Sequence, residues 1–488
     1  MISSCPRDLL RVPRSTKRSS WLKDAGLLGI VIVMVALWTA GYPLPHVDDL
    51  FYTGASIELA RSGQLENPFL IVFSDSLGSL SFYSIPPALP YLLAAWIKCF
   101  GVSTVSLTGF HVFVQFLLVL VVYRVVRSLG GGTAGSLAAA WVALIFPITY
   151  GMRPDALAML LAVAGCLLAT QRTSLLVLVG SLVAALAVLT HPLAAALVIP
   201  PFFYLWCRSA RHPMVFLKIL GASLAGVLIA FALFLLAIRG ELMEFMRVLA
   251  ATRDLIMRPS LMNRPAEFVT AFTMGQQLWL TAPALLLIAG SIIRCSVVRS
   301  HTGSSRDFDL WLLWLGALAI GIFLYPGRMA HYALSIGLVL VLVSSANHRF
   351  SFLVAALVAA AAAISNAGSL LFPFFGELTK PDLAGIRHEI ELRQQTGQKV
   401  LCLDEVAARY VFDFNLPEGS RDWILRQPAQ TGIRSLQADK PADELWVVNE
   451  WKLERYVDDS GVRSKRLQVA GRTIESLPHA PFRLRIIE

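Results

Sequence analysis

Charged residues are scarce in this chain. Asp, Glu, Lys and Arg make up only 15% of its 488 residues, whereas apolar residues account for 56%. Soluble domains usually contain roughly 25% charged residues, so the shortage argues against a soluble globular protein. Long apolar runs recur almost without charges, and each is close to the roughly 20 residues that a helix needs to cross a bilayer. The composition therefore predicts a helical membrane protein that crosses the bilayer many times.

Clustered cysteines and metal ligands are also lacking. The six cysteines are scattered, so the sequence indicates neither a disulfide framework nor a zinc-binding spacing. The predicted outer loops contain no recognisable cluster of His, Asp and Glu, so we expect no cofactor; a divalent metal stays open but has no support in the sequence. The net charge of +10 is concentrated in short segments between apolar runs, where positive charge sets membrane orientation. We expect no nucleic-acid partner.

The basic N-terminus sets the expected orientation. Residues 1–24 are rich in Lys and Arg, and the apolar run 25–42 follows them. The positive-inside rule places this N-terminus in the cytoplasm and the next loop, residues 43–103, outside. A cleaved signal peptide is the alternative interpretation of the run, and it also leaves the loop outside.

The apolar stretch 86–101 decides on which side of the membrane each later span ends. It is short, and it contains Pro90 and Lys98. If it crossed the membrane, Arg124 and Arg127 would face outside; if it lies in the interface, they face the cytoplasm, as the positive-inside rule prefers. With the second choice nearly every short basic loop falls inside. We expect about 11 transmembrane helices, with the N-terminus cytoplasmic and the C-terminus outside.

The composition changes after the last predicted span. Charges become frequent there, and the short apolar runs 399–403 and 444–448 are typical of buried strands. We therefore expect residues 25–376 to form a transmembrane domain. Residues 377–488 are expected to form a small α/β domain outside the membrane.

The few ionisable residues of the apolar region gather at predicted span ends on the outer face. Ion-driven transporters usually hold acids or bases near the bilayer midplane, so this distribution favours chemistry on a lipid headgroup over transport. The residues concerned are Asp48, Asp49, Asp155, His191, Arg328 and His331.

An acidic pair opens the first outer loop. Asp48 and Asp49 precede Tyr52 and an amphipathic segment that ends at Gly63. This pattern resembles the first outer loop of the GT-C glycosyltransferases, in the subgroup of aminoarabinose transferases, protein O-mannosyltransferases and lipopolysaccharide-core sugar transferases. Three later stretches resemble that family in the same order, and the resemblance extends from near Ala25 to near Ser345. They are Tyr83-Ser84-Ile85-Pro86-Pro87, Arg153-Pro154-Asp155, and Gly327-Arg328 with His331-Tyr332.

The resemblance implies a GT-C-like fold and an inverting sugar transfer. A monosaccharide would pass from a polyprenyl-phosphate donor to a hydroxyl of a glycolipid, glycan or protein acceptor at the outer face of the membrane. Asp48 would act as the general base that takes the acceptor proton. Arg153 and Arg328 would stabilise the departing phosphate, with His331 as a further candidate. Asp155 would orient an arginine or bind the acceptor.

The implied site combines acids with arginines and aromatic residues. The catalytic set is Asp48, Asp49 and Asp155; the substrate-binding set is Tyr52, Tyr83, Arg153, Arg328, His331 and Tyr332. The aminoarabinose transferases carry a lysine just before the juxtamembrane proline, where this chain has Ser84-Ile85-Pro86. Phosphate binding would therefore depend on the arginines, and transfer of aminoarabinose to lipid A is less favoured.

Each of these residues also has a structural interpretation. Asp48 suits a helix N-cap, and Asp155 follows Pro154 as at the start of a helix. Arg328 and His331 would also suit side chains that reach lipid headgroups from span ends. We interpret His191, which precedes a proline, as a helix boundary.

Two other function classes stay open. A polymerase or ligase of lipid-linked glycans would use arginine-rich outer loops without needing Asp48. A transporter or flippase of polyprenyl-linked sugars would need charges near the midplane and internal repeats. Membrane lipids are expected partners in every case. The expected location is the bacterial inner membrane, as a multi-pass protein, and an endoplasmic reticulum origin stays open.

Overall fold

A computed structural model shows a predominantly helical chain. It describes residues 20–39, 47–67, 83, 86–128, 136–137, 140, 152–171, 173–210, 212–255, 260–267, 316–317, 319–324, 392, 395, 399–402, 444–449, 468–469, 472–476 and 484–487. The α-helices whose first and last residues are both defined are α1 (Ser20–Thr39), α2 (Val47–Ser62), α3 (Ala88–Phe100), α4 (Thr104–Ser128), α5 (Asp155–Ala169), α6 (Ser174–Val188), α7 (Ala195–Ser209), α8 (Pro213–Ala237) and α9 (Leu242–Leu255). A 3-10 turn, Pro192–Ala194, lies between α6 and α7.

Two helices within the described ranges are long and apolar enough to cross a membrane. They are Thr104–Arg127 in α4, with 24 residues, and Pro213–Ala237, which is α8, with 25 residues. At 1.5 Å per residue each is at least about 36 Å long, more than the roughly 30 Å of the bilayer's hydrocarbon core. The expected fold class, about 11 transmembrane helices in a GT-C-like arrangement, is therefore wrong.

Within the described residues, the expectation failed because it counted short apolar helices as spans. α5 and α6 have 15 residues each, and 15 residues of helix extend only about 22 Å. Local signals set these lengths. Pro154 immediately precedes α5, and the side chain of Thr173 caps α6 by accepting a hydrogen bond from the backbone N–H of Leu176. Apolar composition by itself does not show that a helix is long enough to cross a bilayer.

Glycines allow α6 to lie very close to both α5 and α8. A Cβ atom on Gly180 of α6 would lie 2.6 Å from the carbonyl oxygen of Gly165 on α5, and a Cβ on Gly165 would lie 2.7 Å from that of Gly180. A Cβ on Gly226 of α8 would meet the backbone carbonyl of Leu178 on α6. Only glycine permits such approach of two backbones, as in membrane helix pairs. These contacts join α5, α6 and α8 into one packed unit.

α4 connects this unit to the first helices of the chain. It packs against α1, α3 and α5, and α3 packs in turn against α2. The indole N–H of Trp38 on α1 donates to the backbone carbonyl of Val105 at 3.1 Å, and that of Trp96 on α3 donates to the carbonyl of Ser106 at 3.0 Å. Both α1 and α3 are therefore joined by hydrogen bonds to the first turn of α4.

Five strands form one sheet near the end of the chain. They are β1 (Lys399–Cys402), β2 (Glu444–Asn449), β3 (Gln468–Val469), β4 (Arg472–Ser476) and β5 (Leu484–Ile487), in the order β1-β2-β5-β4-β3. β1 and β2 are parallel, with Lys399 opposite Glu444, and the other neighbours are antiparallel.

β1 and β2 overlap the two apolar runs in which the sequence indicated strands. The described residues of this part of the chain are mainly strand residues, with helical residues at Leu392 and Gln395, so the expected α/β domain is not shown. The described strands instead form a small mixed sheet. The domain boundaries at residues 24 and 376, and the position of residues 377–488 outside the membrane, stay predictions.

Candidate functional site

The first turn of α2 is fastened to the segment that precedes α5. Asp49 is only 1% exposed, and its Oδ1 accepts a hydrogen bond of 2.7 Å from the backbone N–H of Met152. The hydroxyl of Thr53, one turn later, donates to the backbone carbonyl of Asp49. A carboxylate is also stabilised at the N-terminal end of a helix by the helix dipole. Asp49 therefore holds together two segments about a hundred residues apart in sequence.

Asp48 lies in the same turn, next to this buried acid. The structure describes its backbone as the second residue of α2, which begins at Val47. The side chain of Asp48 lies outside the described residues. Its role as general base stays a prediction.

Arg153 lies between α2 and α5 and is 9% exposed. Its Nη2 donates to the hydroxyl oxygen of Tyr52 at 3.3 Å, and its Cζ lies 5.2 Å from the centre of the Tyr52 ring. Its Nε donates to Oδ2 of Asp155 at 3.2 Å. The carboxylate offsets the charge of the guanidinium, while the ring face adds a cation–π attraction. The predicted residues Tyr52, Arg153 and Asp155 are therefore in mutual contact through the guanidinium.

His191 lies against the same carboxylate. Its Nε2 is 3.9 Å from Oδ1 of Asp155, and its Nδ1 accepts a hydrogen bond of 3.2 Å from the backbone N–H of Leu193. Burial lowers the pKa of His191 below its ordinary range; the charge of Asp155 partly opposes this, and the charge of Arg153 adds to it. The imidazole is therefore neutral at pH 7, with its proton on Nε2 because Nδ1 is an acceptor.

We call Asp49, Tyr52, Arg153, Asp155 and His191 the arginine cluster. The first four were predicted from the sequence as site residues. His191 was interpreted only as a helix boundary, and it does cap the 3-10 turn. The signal that could have identified it is its predicted position on the same face as Asp155. The cluster combines a buried guanidinium, which suits an anionic group, with carboxylates and a neutral imidazole that can exchange protons.

Tyr83 occupies a different position. Its hydroxyl donates to Oε2 of Glu241 at 2.6 Å and lies 3.3 Å from the carbonyl oxygen of Ile238. Its ring centre is 5.9 Å from that of Phe245 on α9, and its side chain is buried. These contacts tie the segment before α3 to the junction of α8 and α9. Its predicted role in substrate binding stays a prediction.

We expect Tyr83→Phe to lower the melting temperature of the detergent-purified protein by a few degrees. The change removes the hydroxyl that Glu241 and the Ile238 carbonyl contact, at a cost of about 1–3 kcal/mol. Tyr91→Phe is the matched control, because the Tyr91 hydroxyl donates to the Ala237 carbonyl from an exposed position. Thermal unfolding followed by circular dichroism measures both. Equal melting temperatures for the two variants would contradict the structural role of Tyr83.

The remaining predicted residues are Arg328, His331 and Tyr332. They lie outside the described residues, and their roles stay predictions. In the described part of the chain, no group of three or more His, Cys, Asp or Glu residues is placed to hold a metal ion.

A scan against models of protein families finds no match. A search of the curated proteins also finds no match. The resemblance to GT-C glycosyltransferases therefore stays a hypothesis that rests on the sequence motifs.

Proposed function

We propose that the protein is a membrane glycosyltransferase. It would transfer a monosaccharide from a polyprenyl-phosphate donor to a hydroxyl of a glycolipid, glycan or protein acceptor. The observation that carries this proposal is the buried guanidinium of Arg153, which is held by Tyr52 and Asp155 next to the helix turn that contains Asp48 and Asp49. A cation for a departing phosphate and a carboxylate for an attacking hydroxyl are the two groups that this transfer needs.

In the proposed reaction, a carboxylate acts on the attacking hydroxyl and a guanidinium acts on the leaving phosphate. Asp48 takes the proton from the acceptor hydroxyl while its oxygen forms a bond to the anomeric carbon. The bond between that carbon and the phosphate oxygen breaks, and the phosphate leaves with the electron pair. Arg153 offsets the charge that develops on the phosphate, with Arg328 proposed as a second cation. Attack opposite the leaving group inverts the configuration at the anomeric carbon.

Support for a lipid-linked donor comes from α4 and α8. Both are long and apolar enough to cross a bilayer. Leu217, Leu228 and Leu236 of α8 are each more than half exposed, which gives the helix an apolar outer surface that suits acyl chains. We propose an integral, multi-pass protein of the bacterial inner membrane, with its N-terminus in the cytoplasm. We further propose that the arginine cluster and the C-terminal sheet lie on the outer side.

Arg153→Gln tests the phosphate role. We expect the turnover of a polyprenyl-phosphate hexose by protein in proteoliposomes to fall roughly 100- to 1,000-fold, because the neutral amide cannot offset the leaving-group charge. Arg153→Lys keeps the charge without the planar fork and should retain part of the activity. Arg247→Gln is the matched control, because Arg247 is exposed and paired with Glu244 at 2.7 Å. Mass spectrometry of the released lipid phosphate measures all three.

Deletion of the gene provides the cellular test. We expect mass spectrometry of lipid-linked sugars and envelope glycans to show loss of one sugar from one acceptor. The proposal fails if the deletion leaves every glycan unchanged, or if Arg153→Gln turns over the donor as the wild type does.

A further inference from the structure

We propose that His111 is the centre of a buried binding site for a neutral hydroxyl group, supplied by water or by a hydroxylated lipid, on the buried face of α4. This helix is long and apolar enough to cross a membrane. None of the residues of the site belongs to the arginine cluster. The inference therefore goes beyond the proposed function and does not rest on it.

Four polar side chains follow one face in the first half of α4. Thr104, Thr108, His111 and Gln115 are spaced by four, three and four residues, as on a single face of a helix. All four are buried, with exposed fractions of 8%, 1%, 7% and 5%. At 1.5 Å per residue, His111 lies about 10 Å and Gln115 about 16 Å from the start of α4. This polar face of α4 therefore extends from one end of the helix to near its middle.

The His111 imidazole has a nitrogen that no protein group satisfies. In the described part of the chain, its Nε2 is buried and has no hydrogen-bond partner. An unpaired buried polar atom is unfavourable, and such atoms in folded proteins usually contact ordered water or a ligand. Ionisable side chains inside membrane spans are also rare, and they commonly mark binding sites or pathways. The unpaired nitrogen therefore indicates a bound group.

The chemistry of the polar face favours a hydroxyl as that group. A neutral imidazole has one nitrogen that donates and one that accepts, and a hydroxyl can pair with either because it does both. The hydroxyl of Thr108, one turn before His111, donates to the backbone carbonyl of Thr104 at 2.7 Å. Its oxygen keeps a lone pair with which it can accept a second bond. The polar face therefore offers a hydroxyl both a nitrogen and an oxygen partner.

A charged ligand does not suit this face. α4 contains no Asp, Glu, Lys or Arg before Arg124, so the helix supplies no opposite charge near His111. An ion taken out of water without such a partner is strongly destabilised. Water and the terminal hydroxyl of a neutral polyprenol both meet the requirement. The two sources are separated by experiment.

Hydroxyl-radical labelling of the full chain in lipid nanodiscs tests whether water occupies the site. X-rays generate the radicals from water, so side chains beside ordered water are oxidised, and mass spectrometry locates them. We expect His111 to be labelled at least roughly tenfold faster than Met159, a buried methionine on α5. His212 is the positive control, because it is an exposed histidine.

Melting temperatures with added undecaprenol test whether a lipid hydroxyl occupies the site. In that case undecaprenol should raise the melting temperature of the wild type, and His111→Leu, which has no hydrogen-bonding side-chain atom, should lose most of this shift. His212→Leu is the matched control and should keep the shift, and His111→Phe replaces His111→Leu if the latter does not fold. Fast labelling assigns the site to water, and a shift that depends on His111 assigns it to lipid. The proposal is overturned if His111 is labelled no faster than Met159 and undecaprenol shifts the wild type and the His111 variant equally.

Discussion

Asp48→Asn is expected to abolish sugar transfer while the protein keeps its melting temperature. The amide has the shape of the carboxylate but cannot take the proton of the acceptor hydroxyl. General-base catalysis contributes roughly 100- to 10,000-fold to such reactions, so the rate of the variant should be lower than that of the wild type by a factor in that range. The measurement is product formation from a polyprenyl-phosphate hexose in proteoliposomes, with unfolding of the same samples followed by circular dichroism.

Asp49→Asn is the matched neighbour for this test. Asp49 is buried and accepts the Met152 N–H at 2.7 Å. The amide oxygen of Asn can keep that bond while the charge near the N-terminus of α2 is lost, so we expect a lower melting temperature and a smaller loss of rate. Full activity in Asp48→Asn would exclude Asp48 as the base. Inactivity of Asp49→Asn at an unchanged melting temperature would transfer the role to Asp49.

Gly180→Leu is expected to prevent the close packing of α5 and α6. A Cβ on Gly180 would lie 2.6 Å from the Gly165 carbonyl oxygen and 2.7 Å from the backbone nitrogen of Ala169. Both obstacles are backbone atoms, which cannot move aside as a flexible side chain could. Overpacking of this kind usually costs about 1–3 kcal/mol or more. We expect a strong fall in melting temperature and in the amount of protein recovered from membranes.

Gly221→Leu is the control for the glycine test. Gly221 lies on α8, and a Cβ there would meet no atom within 4 Å. Leucine also favours the helix more than glycine does, so this variant should be as stable as the wild type or slightly more stable. If Gly180→Leu and Gly221→Leu unfold at the same temperature, the close approach of α5 and α6 is not a feature of the folded protein.

The sequence by itself determined the local elements near the candidate site. The apolar runs, with Pro154 before one helix and Thr173 before the next, correspond to α5 and α6. Asp48 and Asp49 lie in the first turn of α2, with Asp48 as its second residue and not as its N-cap. These features follow from preferences that act within a few residues, such as capping and the missing N–H of proline. The number of spans did not follow, since apolar character alone does not set the length of a helix.

Only the tertiary structure decided which of these residues meet. Asp49 and Met152 are joined by a hydrogen bond although they are far apart in the chain, and His191 reaches Asp155 from the end of another helix. No local preference specifies such contacts, because they join segments that only the folded chain brings together. The close approach of α5, α6 and α8 likewise depends on glycines whose neighbours are known only in the folded chain. The arginine cluster therefore results from helix packing. The sequence showed which residues it contains but not that they lie close together.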